Sequence, residues 1–181
     1  MRPLGLGWPN IVSVARVLLV PALVVLVLMN SRSSSYAAAV VFLVGAASDG
    51  LDGWLARRHG MKTVTGAWLD PLSDKLFVAA PIVALALRHR FPIWAAVAII
   101  GREVAVSTLR WRLGSRAVSM PASTVAKWKT ATQLAAVFLY LLPLGRRAHP
   151  VRLAVVLVAV ALTLYTGAEY FLTTRHRVEV G

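Results

Sequence analysis

The chain has no cysteine. This excludes a disulfide framework, a thiolate metal site and a cysteine nucleophile, and it leaves the redox compartment unread. Acidic side chains are scarce as well: seven Asp and Glu stand against twenty Lys and Arg, for a formal net charge of +13. Such a balance suits nucleic acid or an anionic membrane surface. No basic groove interleaved with aromatic residues is visible, so nucleic acid is set aside as a partner. Internal repeats and low-complexity linkers are also missing, which leaves one compact bundle, residues 1–181, as the natural organisation.

What the chain has in excess is apolar residues. They make up 58% of it, with a mean hydropathy of +0.69, whereas soluble domains hold about 45–50%. A membrane-spanning helix needs about 20 mostly apolar residues. Six stretches qualify, over 10–30, 36–57, 69–88, 92–110, 125–144 and 151–173. Polar or basic breaks separate them at Asn30-Ser31-Arg32-Ser33, His59-Gly60-Met61-Lys62, Arg88-His89-Arg90, Gly114-Ser115-Arg116 and Gly145-Arg146-Arg147. The expected fold is all-α, a polytopic membrane protein with six transmembrane helices in one bundle.

Basic residues between the runs set the orientation. With the N-terminus in the cytoplasm, that face collects Arg2, Arg57, Arg58, Lys62, Arg110, Arg112, Arg116, Lys127, Lys129, Arg175 and Arg177. The opposite face keeps Arg32, Arg88, Arg90, Arg146, Arg147 and Arg152. The asymmetry favours both termini inside. Arg2, the apolar stretch after it and Ala37-Ala38-Ala39 imitate a cleavable signal. Arg16 within that stretch and the helix-start pair Pro9-Asn10 favour an uncleaved segment.

The few acids are placed where a membrane protein can least afford them. Asp49, Asp52, Asp70 and Asp74 are the only aspartates, and they fall in one stretch at the end of the second helix and the start of the third. An aspartate at the centre of a membrane helix costs about 2.5–3.5 kcal/mol on insertion scales. Asp49 and Asp52 are three apart, while Gly66, Asp70 and Asp74 step by four, so each set lines one helix face. A short connection over 58–65 makes the two helices antiparallel neighbours and brings four carboxylates together. Like charges that close need a cation. An all-oxygen donor set suits Mg²⁺ or Mn²⁺. The plain alternative is neutralisation by Arg57, Arg58, Lys62 and Lys75.

Gly45, Ala46, Ala47, Ser48, Gly50, Gly53 and Ala56 make the second helix thin on this side. Small residues of this kind commonly serve close helix packing. Beside a metal cluster they also let a pyrophosphate approach the backbone, with Arg57 available for a bidentate phosphate contact.

Asp49-Gly50-Leu51-Asp52-Gly53-Trp54-Leu55-Ala56-Arg57, eight further residues, and Gly66-Ala67-Trp68-Leu69-Asp70-Pro71-Leu72-Ser73-Asp74 reproduce D-x-x-D-G-x-x-A-R-x8-G-x3-D-x3-D. The chain thereby resembles the CDP-alcohol phosphatidyltransferase family, with no departure from its eight motif positions. The resemblance implies a six-helix membrane domain, often a homodimer, that uses two divalent ions. It implies Asp49, Asp52 and Asp70 as metal ligands, and Asp74 as a metal-site residue and the general base. It implies Gly53, Ala56, Arg57 and Gly66 as the cradle for a CDP-linked lipid.

Three further stretches resemble bacterial phosphatidylglycerophosphate synthases of that family. Pro9-Asn10-Ile11-Val12-Ser13-Val14-Ala15-Arg16 is close to their P-N-x-x-T-x-x-R, with Ser13 in place of Thr. Gly101 to Arg110 is the second stretch, and Lys127-Trp128-Lys129-Thr130-Ala131-Thr132-Gln133, close to K-x-K-T-x-x-Q, is the third. The implied reaction joins CDP-diacylglycerol and glycerol 3-phosphate at the cytoplasmic side of a bacterial inner membrane. A dianionic acceptor needs cations, and Arg110, Arg102, Lys127 and Lys129 are the candidates, Arg110 first. Arg102 has a competing role in pairing with Glu103 or a neighbouring helix, and the lysines a competing role as topology anchors. Asn10, Ser13 and Arg16 share a helix face, unless they are only a cap and a snorkelling arginine. Glu169 is expected to pair with a buried Lys or Arg. His59, His89, His149 and His176 are expected in loops or tails. The same chemistry with phosphatidylglycerol or inositol phosphate as acceptor is the nearest rival. A cation channel would spread its acids along a path through the bilayer, and a scaffold would leave the motif unexplained.

Overall fold

The computed structural model describes residues 8–59, 64–113 and 124–180, with side chains described over 15–48, 73–113 and 124–175. Among the described residues the regular elements are all helical. They are α1 (Trp8–Leu28), α2 (Arg32–His59), α3 (Val64–Leu87), α4 (Ile93–Leu113), α5 (Thr124–Leu141) and α6 (His149–Val180), with one 3-10 turn at Arg146–Ala148. Each falls on one of the six apolar runs. The last one overruns its expected end near residue 173 and continues to Val180. His176, expected in a tail, therefore belongs to the helix, and His59 and His149, expected in loops, are the last residue of α2 and the first of α6. Arg175, His176 and Arg177 suit the negative end of a helix dipole, which favours the extension.

Local chemistry sets the helix ends. Ser31 and Ser34 form a reciprocal cap at the start of α2: the Ser34 N–H donates to Ser31 Oγ and the Ser31 N–H to Ser34 Oγ, both at 3.0 Å. At the end of α3, His89 takes the left-handed conformation with φ of 52°. The His89 N–H donates to the Ala86 carbonyl and the Arg90 N–H to the Leu85 carbonyl, the two bonds of a Schellman stop. Arg90 then leaves the turn as a clamp. Its Nη1 donates to Ser35 Oγ, and its Nη2 donates to the Tyr140 and Leu141 carbonyls at the end of α5.

The chain forms two compact units: Met1–Arg90 with Tyr140–Pro143, and Phe91–Leu139 with Leu144–Gly181. In the first, α1 packs on α2 and α3. Leu23, Val27, Phe42, Phe77, Ile82 and Leu85 are buried, and the Phe42 and Phe77 rings stack with centroids 5.2 Å apart. In the second, α4 packs on α6, and Ala95 and Ile99 of α4 and Val156 and Ala159 of α6 are buried.

Outward faces are apolar too. Leu18, Leu87, Val97, Trp111, Trp128, Leu157 and Leu172 are exposed, Trp111 by 76%. Exposed apolar area on this scale calls for lipid or a partner. Among the described residues, Arg146–Arg175 is long and apolar enough to cross a membrane, with a mean hydropathy of 2.0. The described part of α1, Ala15–Leu28, is apolar but shorter. Arg102, Glu103, Arg110 and Arg112 interrupt α4, and Lys127 and Lys129 open α5, which shortens their apolar lengths. The helices are where six spans are expected, but among the described residues one of them meets the requirement by length and composition.

Candidate active site

The aspartate motif lies on α2 and α3 of the first unit. Asp49 and Asp52 fall within α2, and Asp70 and Asp74 within α3, so the helical spacing read from the sequence holds along the backbone. A contact just beyond the motif fixes how these helices meet. A Cβ on Gly45 would come within 2.7 Å of Phe77 Cε2 and nearer still to Cζ. The Phe77 ring thus lies directly on the bare backbone of α2. Gly45 and Phe77 are about equally far from the α2–α3 connection, roughly 20 Å along each helix, as an antiparallel hairpin requires. One turn from that contact towards the connection come Asp49 on α2 and Asp74, three residues before Phe77, on α3. Here the thin face of α2 serves packing: at Gly45 an aromatic ring occupies the space.

Asp74 is the aspartate whose side chain is described. It is half-exposed, and Arg16 of α1, 58 positions away and 5% exposed, donates from Nη1 to its Oδ1. The side chains of Asp49, Asp52, Asp70, Ala56 and Arg57 lie outside the described residues, as do the surroundings of Gly53 and Gly66. So do the side chains of Asn10 and Ser13. The donor set remains all-oxygen and on neighbouring helices, which suits a hard divalent ion. Among the described residues no group of three or more His, Asp or Glu forms a metal site.

The second unit holds all four cations expected to meet an acceptor phosphate. Arg110, in the last turn of α4, sits with its guanidinium 5.5 Å from the centre of the Tyr170 ring of α6, a cation–π distance. Arg102 Nη1 donates to Glu103 Oε1 at 3.0 Å, and its Nη2 donates to Thr166 Oγ1 of α6 at 3.2 Å. Lys129 Nζ of α5 donates to the same Glu103 oxygen at 2.6 Å. Arg102 therefore pairs both with Glu103 and with a neighbouring helix. Lys127 is exposed, whereas the Lys129 side chain is only 13% exposed. Gln133 of the same motif ties α5 to α6: its Nε2 donates to Thr163 Oγ1 at 2.7 Å, both residues being buried.

A sequence profile of the CDP-alcohol phosphatidyltransferase family matches residues 6–165. The chain belongs to this family. Among similar phosphatidyltransferases is a "CDP-diacylglycerol--glycerol-3-phosphate 3-phosphatidyltransferase" of Pseudomonas fluorescens, 39% identical over 90% of this chain and 87% of its own length. A protein of the same name from Bacillus subtilis is 33% identical over 90% and 92%. A "Probable phosphatidylglycerophosphate synthase" of Mycobacterium tuberculosis is 34% identical over 89% and 78%.

In this phosphatidyltransferase, three functional candidates escaped sequence reading. The Arg16–Asp74 pair joins two motifs that spacing treats separately. Glu103 bridges α4 and α5, and Tyr170 supports Arg110. A lone acid in an otherwise basic segment was the available signal for Glu103. Tyr170 gave none, because an aromatic residue in an apolar helix is unremarkable by pattern. Glu169, expected to pair with a buried Lys or Arg, has no ion pair among the described residues. Three of its neighbours on α6, Leu172, Phe171 and Tyr165, are exposed apolar side chains.

Proposed function

We infer that the chain transfers the phosphatidyl group of CDP-diacylglycerol to glycerol 3-phosphate, forming phosphatidylglycerophosphate and releasing CMP. One observation carries this reading. The unbroken aspartate motif stands in a chain that matches, over nine tenths of its length, relatives bearing the name of that reaction.

The chemistry follows from the residues. The acceptor hydroxyl oxygen attacks the lipid-side phosphorus of the diphosphate, and the bond from that phosphorus to the CMP phosphate oxygen breaks. Asp74 accepts the hydroxyl proton. Arg16, buried beneath it, holds the carboxylate at a fixed position. Gly53, Ala56, Arg57 and Gly66 cradle the CDP group. Asp49, Asp52, Asp70 and Asp74 would hold two divalent ions, Mg²⁺ or Mn²⁺, which when bound neutralise the diphosphate and its leaving group. Arg110, with Arg102, Lys127 and Lys129, meets the acceptor phosphate. Positioning and charge stabilisation thus supply most of the catalysis, as in phosphoryl transfer generally.

The setting is a bacterial cytoplasmic membrane, crossed six times by residues 1–181 acting as one catalytic domain. The active site faces the cytoplasm, and the protein works as a homodimer. The outward apolar faces of the helices support the membrane setting, and the excess of basic residues on one side supports the orientation. Purified protein supplied with CDP-diacylglycerol and Mg²⁺ tests the reaction. Glycerol 3-phosphate, inositol phosphate and phosphatidylglycerol are offered separately, and CMP release and the lipid product are read. Turnover with glycerol 3-phosphate is the expected result, and turnover with another acceptor alone would refute it.

A further inference from the structure

We propose that Glu103 is a positioning residue for the acceptor site, setting Lys129 where an acceptor phosphate meets it. The proposal rests on the reaction inferred above and concerns how the second unit prepares for its phosphorylated substrate.

Arg102 Nη1 and Lys129 Nζ both donate to a single oxygen, Glu103 Oε1. The two nitrogens therefore lie no farther apart than about 5.6 Å, the two bonds laid end to end. Two cations that close repel strongly away from water, and neither side chain is well solvated, at 14% and 13% exposure. The carboxylate between them is what makes the arrangement tenable.

Arg102, which holds one side of the carboxylate, is itself held from behind. Thr166 Oγ1 accepts from Arg102 Nη2. Gly167 leaves room for the arginine stem, since a Cβ there would come within 3.0 Å of Arg102 Cγ. Arg102 Nε is buried without a hydrogen-bond partner, so this guanidinium is placed by packing as well as by bonding. A chain of fixed contacts thus runs from α6 through Arg102 and Glu103 to Lys129. The three charges leave a net of +1, a cationic locus that attracts an anion. Lysine has four rotatable methylenes and a point charge, and alone it would lose entropy on binding phosphate. Pinned by Glu103, it has lost that freedom beforehand.

Kinetics of purified wild type, Glu103→Gln, Glu103→Asp, Lys129→Gln and the Glu103→Gln/Lys129→Gln double variant test the proposal. Glu103→Gln should raise KM for glycerol 3-phosphate about tenfold while kcat and KM for CDP-diacylglycerol stay within about twofold. Glu103→Asp keeps the charge and should recover most of the loss. In the Lys129→Gln background, Glu103→Gln should add little, because the two act through one contact. An unchanged KM for glycerol 3-phosphate, an equal rise for both substrates, or effects that multiply in the double variant would overturn the proposal. If Glu103→Gln does not fold, the Asp variant and Thr166→Val, which frees Arg102 Nη2, decide by the same KM split. Wild-type turnover is the separate control on the reaction itself. Wild type that uses only inositol phosphate overturns the choice of acceptor, and the same KM ratios with inositol phosphate then decide Glu103.

Discussion

Gly45→Ala adds one methyl group at a place where the structure has no room for it. The new Cβ would sit 2.7 Å from Phe77 Cε2, with Cζ nearer and Cε1 at 3.3 Å. Ordinary carbon contacts are about 3.5–4.0 Å, so the ring or the helix must withdraw by about 1 Å. The ring has little freedom: Phe77 is 2% exposed and lies parallel to Phe42, with 2° between their planes. Overpacking of this kind costs about 1–3 kcal/mol. The upper half of that range is expected here, because the neighbours are a helix backbone and a second ring. The displacement falls one turn from Asp49 and Asp74, and a shift of about 1 Å at a reacting centre can lower the rate about a hundredfold. Thermal unfolding in detergent and CMP release under saturating substrates are the two assays. Adding Phe77→Leu to Gly45→Ala removes the ring edge and should restore stability to within about 1 kcal/mol of Phe77→Leu alone. A Gly45→Ala protein as stable and as active as wild type would refute the packing described between α2 and α3.

Four further outcomes follow from the site. Asp74→Asn should lower turnover by about a thousandfold, in the range of general-base removal, while circular dichroism and membrane insertion stay unchanged; an active variant removes Asp74 as the base. Arg16→Gln keeps a hydrogen-bond donor but loses the charge beneath Asp74, and kcat should fall about tenfold or more with the substrate KM values little changed. Arg110→Ala should raise KM for the acceptor more than for CDP-diacylglycerol, and the opposite pattern in steady-state kinetics would move Arg110 to the nucleotide site. Chelation with EDTA should abolish CMP release, and Mg²⁺ or Mn²⁺ in excess should restore it.

Much of the architecture was legible because hydropathy is a local property. Each of the six runs became a helix, and the Ser31 and His89 ends follow from residues within one turn of them. The overrun of α6 to Val180 was missed for the same reason: apolar content marks where a span ends, whereas backbone hydrogen bonding carries a helix on through Arg175 and Arg177. The family was legible because its motif is short-range, eight positions over 26 residues of two adjacent helices.

Which face of each helix turns towards which neighbour was another matter. Helices apolar all round carry no polar stripe to mark an inside, so pattern alone cannot pair Arg16 with Asp74, Glu103 with Lys129, or Arg102 with Thr166. Nor can it show that Gly45 makes room for Phe77 and Gly167 for Arg102. The sequence alone determined the helices, the aspartate spacing and the chemistry those residues can perform. Tertiary structure decided the partners, because a side chain far along the chain comes within hydrogen-bonding distance only once the helices have been rotated and packed against each other.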